Sequence, residues 1–251
     1  MIKLDKLDTL VQKVSKQLEK FELLTPPVVR VGTAFDVSES QHWAYRDGTM
    51  QQTHDRLLAI AGKFDDNGEL DTWSFDHRFN LLPTADAASF GRYVQDEIIN
   101  GDGHKWGNTA YAPVMADIIR FYFGNQKKAG LAAPKKQSIL GRLFGKATEE
   151  ESTERFSDGD VNLPAWVLFE TDGQTSDRRE SEEAIIRSQD YPLYWSLVGV
   201  GDASKFDFLE RMADKYPNVG FVNLSSLDIT DEHLYDELIT QEFVDWVKRP
   251  R

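Results

Sequence analysis

Apolar residues recur at two spacings along this chain of 251 residues, and the two spacings alternate. Between Leu4 and Phe21 they recur every three or four residues, which predicts an amphipathic helix that ends before the sequence TPP. The β-branched run VVRVGTAF follows and ends at Asp36, as expected for a buried strand of a parallel sheet. The first helix either binds a partner or packs on the sheet of its own domain.

The rest of the chain repeats this order of strands and helices. Helical spacing is present in TMQQTHDRLLAIAGKF, ADAASFGRYVQDEII and YAPVMADIIRFYFG, and ELDTWSFDHRFNLL is predicted to form one or two strands. After residue 162 the strands PAWVLFE, PLYWSLVGVG and VGFVNLS alternate with helices, the last of which is DEHLYDELITQEFVDWVK. This alternation predicts an α/β fold with a doubly wound, mostly parallel central sheet and helices on both faces.

One stretch interrupts the alternation. Residues 125–162 have a cationic first half, an acidic second half and little periodicity, so we predict a loop insertion there. Its segment QSILGRLFGK is either a helix that contacts a membrane surface or a partner, or part of a surface loop. The predicted organisation is an N-terminal helix over residues 1–24, followed by one domain over residues 25–251 that contains the insertion.

Composition and charge narrow the classes of function. The net charge is −13, so general binding to a nucleic-acid backbone is not expected. The chain has no cysteine, which excludes disulfides, thiolate metal sites and cysteine nucleophiles. The N-terminus does not resemble a signal peptide and no run of about 18 apolar residues occurs, so we predict a cytoplasmic protein without a transmembrane segment.

Oxygen-bearing side chains follow the predicted strands at one edge of the sheet. The sequence FDVSES places Asp36, Ser38 and Ser40 directly after the first strand, and the loops GNTAYAP and TDG contribute Thr109 and Asp172. Ligands of such sheets bind beyond the carboxyl ends of the strands, and hard divalent cations prefer oxygen ligands. We therefore predict that these five residues bind a divalent cation, Mg²⁺ in the first place, with Mn²⁺ or Ca²⁺ as alternatives.

The same residues have structural interpretations that need no metal. The three residues of FDVSES are of types that cap a following helix, and Thr109 precedes a predicted helix that it could cap. Asp172 before Gly173 is an ordinary turn pair. If the metal interpretation is right, Gly107 and Gly173 would let the backbone turn sharply and bring the loops together.

FDVSES, GNTAYAP and TDG together resemble the metal-ion-dependent adhesion site (MIDAS) of von Willebrand factor type A (vWA) domains. That site has the pattern Asp-x-Ser-x-Ser, followed by a distant Thr and a distant Asp. The resemblance covers roughly residues 27–248. NTAYAPVM, PLYWSLVGVGD and LYDELITQEFVDWV are more narrowly similar to intracellular bacterial vWA proteins of tellurium resistance and stress response, and more distantly to copines. The resemblance implies a Rossmann-like vWA fold and assigns the cation to Asp36, Ser38, Ser40, Thr109 and Asp172.

The function that the resemblance implies is metal-dependent protein interaction rather than catalysis. A protein partner would supply a carboxylate to the open position of the cation. Glu39 is an additional acid inside the first motif and departs from the usual pattern. It either strengthens the attraction for the cation or occupies that open position itself. One alternative is a Mg²⁺-dependent phosphohydrolase, although the three motifs hold no Lys or Arg and no glycine-rich phosphate loop is present. Another is a scaffold that acts through the N-terminal helix or the basic insertion, with a structural metal.

Four further residues are candidates for supporting roles. Asp76 and His77 follow a predicted strand and are candidates for a second layer of groups behind the metal ligands. His104 and Trp106 lie in the loop before Thr109, where they either form the rim that a partner contacts or pack locally. The five histidines are too scattered to form a zinc pair on one helix.

Overall fold

The computed structural model describes residues 2–124 and 163–249. The strands in these ranges form one six-stranded sheet, whose members are β1 Arg30–Asp36, β2 Leu70–Phe75, β3 Phe79–Leu81, β4 Ala165–Thr171, β5 Leu193–Val200 and β6 Val219–Leu224. Their order is β3-β2-β1-β4-β5-β6, with β3 antiparallel to β2 and all other neighbours parallel. The predicted doubly wound α/β fold is confirmed.

Helices cover both faces of this sheet. They are α1 Ile2–Glu19, α2 His42–Arg46, α3 Thr49–Phe64, α4 Ala112–Phe123, α5 Arg178–Ser188, α6 Asp207–Lys215, α7 Asp231–Leu238 and α8 Gln241–Val247. The core on one face contains side chains of α1, α3, α7 and α8, and the core on the other contains those of α4, α5 and α6. Successive side chains of a strand point to opposite faces, so Trp166 and Leu168 of β4 enter the first core and Val167 and Phe169 the second.

The N-terminal helix packs on other helices of its own chain. Leu10 and Val14 of α1 are buried in the core that α3 and α7 share. Lys13 Nζ lies 2.7 Å from one carboxylate oxygen of Asp231 at the start of α7, and Arg56 Nε of α3 lies 2.7 Å from the other. The apolar stripe of α1 is therefore covered within the chain, where it packs against α3 and α7.

The helix predicted for ADAASFGRYVQDEII is shorter than expected. Residues 87–92 form turns, and the helical part is a π-helix at Val94–Ile99. Asp86 Oδ1 accepts the N–H groups of Ala88 and Ser89 at 3.0 Å each, and Gly91 has a φ of +73°. This left-handed backbone at Gly91 ends the turn and prevents one continuous helix.

The final predicted helix is two helices. Ile239 leaves the helical conformation with φ −97° and ψ 81°, and the side chain of Thr240 then accepts the N–H of Phe243 at 3.3 Å to begin α8. The apolar spacing hid this break, because Leu238, Ile239 and Phe243 are all buried on the same side of the sheet.

Two predictions concerned membranes. No helix in the described parts of the chain is long and apolar enough to cross a membrane. The insertion predicted at 125–162, with its hypothetical membrane-surface or partner-docking helix, lies outside the described residues.

Candidate metal site

The parallel pairing of β1 and β4 brings the first and third motifs together at the carboxyl edge of the sheet. In this register the ends of the two strands lie side by side. Thr171 Oγ1 donates a hydrogen bond to Asp36 Oδ2 at 2.6 Å, and the main-chain N–H of Ser38 donates to Asp36 Oδ1 at 2.8 Å. Asp36 is fully buried, so its carboxylate is fixed under the loop that follows β1.

The hydroxyls of this loop lie close to the third motif. Ser38 Oγ and Ser40 Oγ are 3.2 Å apart, and Ser40 Oγ donates to Asp172 Oδ1 at 2.8 Å. The two serines also line an open depression, whose other lining residues are Glu39, Gly107, Asn108 and Thr109. The structure thus places Ser38, Ser40 and Thr109 around one depression and Asp172 beside it. The buried Asp36 is hydrogen-bonded to the loop that carries the two serines.

Asp76 holds the loop that carries Thr109. Asp76 is fully buried, and its Oδ2 accepts the main-chain N–H of Gly107 at 3.1 Å. Arg78 Nη2 lies 2.6 Å from the same oxygen. His77 is half exposed, with its Nδ1 3.5 Å from Asp76 Oδ1. Of the two residues considered for a supporting role, Asp76 therefore positions the second motif directly.

The hydroxyls of the predicted ligands do not act as helix caps. Ser38 precedes a short 3₁₀ turn, but its side chain makes no capping hydrogen bond. The N–H groups of Tyr111 and Ala112 at the start of α4 each donate to the carboxylate of Asp177 at 3.0 Å. Asp177, which sequence reasoning did not single out, therefore caps this helix in place of Thr109.

Three carboxylates at this edge, those of Asp36, Glu170 and Asp172, have no basic ion-pair partner among the described residues. Glu170, in β4, is buried and accepts hydrogen bonds from the Gln41 side chain and, at 3.4 Å, from the N–H of Asp36. Burial raises the pKa of Asp36 to about 6. Burial, together with repulsion from Asp36 and Asp172, raises the pKa of Glu170 well above its usual value. In the part of the chain that the structure describes, none of these carboxylates forms an ion pair.

This set of groups fits a hard divalent cation. The donors are all oxygens, and a cation would compensate the negative charge that is otherwise unpaired. Within residues 2–124 and 163–249, no three His, Asp or Glu side chains are grouped so that they could hold a metal ion. A cation here would therefore rely on hydroxyls and water for many of its ligands, which suits Mg²⁺ because it retains water readily.

The two glycines of the motifs differ in how closely other residues approach them. Gly107 and Gly173 both lie in bends of the chain, as expected, but neither has a positive φ, so these bends do not require a left-handed backbone. A Cβ added at Gly107 would lie 2.5 Å from His77 Nδ1 and 2.6 Å from Asp76 Oδ2, whereas nothing lies within 4 Å of a Cβ at Gly173. Gly107 is thus required for the close approach of its loop to Asp76.

We expect Gly107→Ala to lower the free energy of unfolding by about 1–3 kcal/mol, because the added methyl forces Asp76 or the loop to move. Gly173→Ala is the matched control, and it should change stability by less than about 1 kcal/mol in either direction. Urea denaturation of both variants measures the difference. Equal losses of stability would contradict the close-packing role of Gly107.

The aromatic and histidine residues near the depression have separate environments. Trp106 is half-buried, and its ring centroid lies 4.2 Å from that of His42 and 5.4 Å from that of Tyr45. His104 is exposed, and its main chain is hydrogen-bonded to Asn80 at 2.9 Å in both directions. Trp106 therefore packs the second loop against α2, the helix that follows the first loop, whereas the side chain of His104 faces solvent.

Besides Asp177, sequence reasoning missed three residues at this edge. Glu170 and Thr171 are polar residues at the end of an otherwise apolar strand, and that position was an available signal. Lys205, from the loop after β5, donates a hydrogen bond from Nζ to the main-chain oxygen of Asp172 at 3.3 Å. No local pattern pointed to Lys205, because it reaches the site only through the pairing of β5 with β4.

The chain matches a known family over nearly all of the domain. Residues 28–132 and 145–251 match the family vWA-TerF-like, described as the vWA domain found in the TerF C terminus. The uncharacterized protein YcbR of Bacillus subtilis (strain 168) is 32% identical over 251 residues, which cover 98% of this chain and 88% of that protein. The unmatched residues 133–144 fall inside the predicted insertion.

Solved structures with similar folds include proximal thread matrix protein 1 from the mussel byssus. One structure of it gives a TM-score of 0.55 at 14% identity and covers 85% of this chain and 48% of that chain, so this chain spans about half the length of the mussel protein. Another structure of that protein, described with a zinc-occupied MIDAS motif, gives a TM-score of 0.48 at 16% identity over 88% of this chain and 46% of that chain. The first of these likenesses shows a shared fold.

Proposed function

This chain belongs to the vWA-TerF-like family, and from that premise we propose that it is a protein-interaction module that binds an acidic group of a partner protein through a divalent cation. We propose Mg²⁺ as the cation. The residues proposed to hold it are Asp36, Ser38, Ser40, Thr109 and Asp172. The family resemblance extends the proposal to a cytoplasmic role in bacterial tellurium resistance or stress response.

One observation carries the proposal. Three hydroxyl-bearing residues from two separate loops, Ser38, Ser40 and Thr109, line the same open depression. Asp172 adjoins them through its hydrogen bond with Ser40. A cation held in an open depression is accessible to a ligand of another molecule, whereas a closed, purely structural site would not be.

The charges around the depression support a dependence on metal. Asp36 and Glu170 are buried at this edge, and Glu39 is exposed on the wall of the depression. Without a cation these carboxylates repel an acidic partner, because like charges brought together at an interface disfavour association. When bound, a divalent cation would supply the positive charge that attracts a carboxylate. The proposed binding is therefore switched on by the metal.

We expect affinity-tagged protein to retain its partner from a lysate of the source organism in Mg²⁺ and to lose it in a chelator. Asp36→Ala should lose the partner in both conditions. Asp228→Ala is the matched control, because Asp228 is an exposed acid in the loop after β6, at the same edge of the sheet. Retention of the same partner by every variant, with or without chelator, would refute metal-bridged binding and favour a scaffold with another docking surface.

A further inference from the structure

We propose that Lys205 is a second anion-binding position beside the cation, so that the site selects a partner segment with two acidic side chains. This inference rests on the proposed function and adds a second contact to the same partner. Lys205 Nζ donates to the main-chain oxygen of Asp172 at 3.3 Å. The side chain of Asp172 accepts from Ser40 at 2.8 Å on the β1 side. Asp172 therefore lies between the serines and the lysine.

The turn that carries Lys205 is anchored to the sheet. The next residue, Phe206, is fully buried, and its ring lies so close to Gly199 of β5 that a Cβ there would be 2.8 Å from ring atoms. Asp202 Oδ1 accepts the N–H of Ser204 at 3.0 Å and begins the turn. The backbone of Lys205 is thus fixed, while its side chain is exposed at the edge of the sheet.

Lys205 has donors left for an incoming anion. A lysine ammonium group carries three N–H donors, and the hydrogen bond to Asp172 uses one of them. Among the ion pairs of the described residues, none involves Lys205. It is therefore an exposed positive charge at the edge that also carries Asp36, Glu170 and Asp172. Hydrogen bonding from Ser204, with a contribution from the charge of Lys205, lowers the pKa of Asp202, but Asp202 and Lys205 form no ion pair among the described residues.

The spacing of the strands indicates what kind of ligand fits. The order β1-β4-β5 and a separation of about 4.8 Å between neighbouring strands place β5 about 10 Å from β1. Asp36 ends β1, with Ser38 and Ser40 after it, whereas Lys205 follows β5, so groups bound to the cation and to Lys205 lie over different strands. In an extended peptide, alternate side chains lie on one face about 7 Å apart. This spacing lies between one and two strand separations, so an acidic segment with carboxylates at alternate positions can place one at the cation and one at Lys205.

The test uses full-length, Mg²⁺-loaded protein and two synthetic peptides that differ in one residue. The first has glutamates at two alternate positions, and in the second one glutamate is replaced by glutamine. We expect the wild type to bind the two-glutamate peptide about two- to fivefold more tightly, as for an exposed ion pair. Lys205→Gln should bind the two peptides equally. Lys248→Gln is the matched control, because Lys248 is exposed and donates one hydrogen bond to the main-chain oxygen of Phe21 at 3.1 Å.

A titration with Mg²⁺ alone separates a charge effect from a structural one. Lys205→Gln removes a positive charge beside the site, so it should bind Mg²⁺ as tightly as wild type or slightly more tightly. Weaker Mg²⁺ binding would mean that Lys205 only supports the Asp172 loop, and it would overturn the inference. So would equal wild-type affinity for the two peptides, or tighter binding of inorganic phosphate than of the two-glutamate peptide. If the wild type binds no Mg²⁺, the proposed function itself fails.

Discussion

Mg²⁺ at about 100 times its dissociation constant is expected to raise the melting temperature of the wild-type protein by about 5–10 °C, and Asp36→Asn is expected to abolish this rise. A ligand that binds only the folded state stabilises it by about 2.7 kcal/mol at that concentration. For a chain of this size, about 1 kcal/mol corresponds to a shift of roughly 2–4 °C. Asparagine keeps the size of the side chain but removes the negative charge that would hold the cation.

The fold should tolerate this substitution. Asp36 accepts hydrogen bonds from the N–H of Ser38 and the hydroxyl of Thr171, and the amide oxygen of asparagine can accept one of them. Because burial raises the pKa of Asp36 to about 6, its carboxylate is charged at pH 8, and this buried charge lowers the stability of the folded protein when no cation is present. We therefore expect metal-free Asp36→Asn to be at least as stable as wild type at that pH.

Thermal melts of both proteins with Mg²⁺ and with chelator test this prediction. Asp228→Asn, which changes an exposed acid at the same edge, should keep the full Mg²⁺-induced rise. A rise of the same size in Asp36→Asn would show that the stabilising Mg²⁺ binds elsewhere. Loss of the rise in both variants would point to the general acidity of the edge rather than to the proposed ligand.

Lowering the pH from 7 to 5 is expected to reduce the free energy of unfolding of the wild type by about 2 kcal/mol more than that of His54→Phe. His54 of α3 is fully buried, and neither ring nitrogen has a hydrogen-bond partner within the described residues. Burial lowers the pKa of His54 to about 3, against about 6.5 in an unfolded chain. Between these values the unfolded chain binds a proton that the folded protein does not, so stability is lost as the pH falls through this window.

The choice of variant isolates this effect. The ring of His54 stacks on Tyr93 with centroids 4.2 Å apart, and phenylalanine keeps an aromatic ring there without a titrating group. Burial raises the pKa of Asp36, Asp65 and Asp71 to about 6, and these acids act in the opposite direction, because their stabilising protonated forms are lost as the pH rises. They are present in both proteins, so their contribution cancels in the comparison.

Urea denaturation of the metal-free proteins at pH 5, 6 and 7 measures the difference. His233→Phe, at an exposed position of α7, is the control and should leave the pH dependence of the wild type unchanged. If stability changes with pH in the same way in the wild type and in His54→Phe, His54 must bind a proton as readily in the folded protein as in the unfolded chain. That outcome would contradict the prediction.

Part of the site was predictable because it depends on which residues follow each strand directly in the sequence. Asp36, Ser38 and Ser40 follow a buried apolar run, and Asp172 follows another, so each was placed at the carboxyl end of its strand from sequence alone. Parallel strands bring such ends to one edge. Their closeness to each other, seen in the hydrogen bond from Ser40 to Asp172, depends on β1 lying next to β4.

The errors in the helices have a common cause. Apolar spacing reports which side of a segment faces the core, and it does not report whether the backbone is continuous. Ile239 is buried at the break between α7 and α8, and the turn at Gly91 precedes a buried run, so the spacing continues through both interruptions. Thr240, which caps α8, was a local signal for the start of a new helix, but the continuous apolar spacing predicted a single helix.

The sequence by itself determined the α/β class, the alternation of elements and the identity of the hydroxyl and acidic residues that follow the strands, because burial and strand ends leave a local pattern of residue types. Only the tertiary structure decided which of these residues meet. Glu170 beside Asp36, Asp76 under the Thr109 loop and Lys205 beside Asp172 are contacts between distant segments. They follow from the order of strands in the sheet, a non-local property that no short stretch of sequence records.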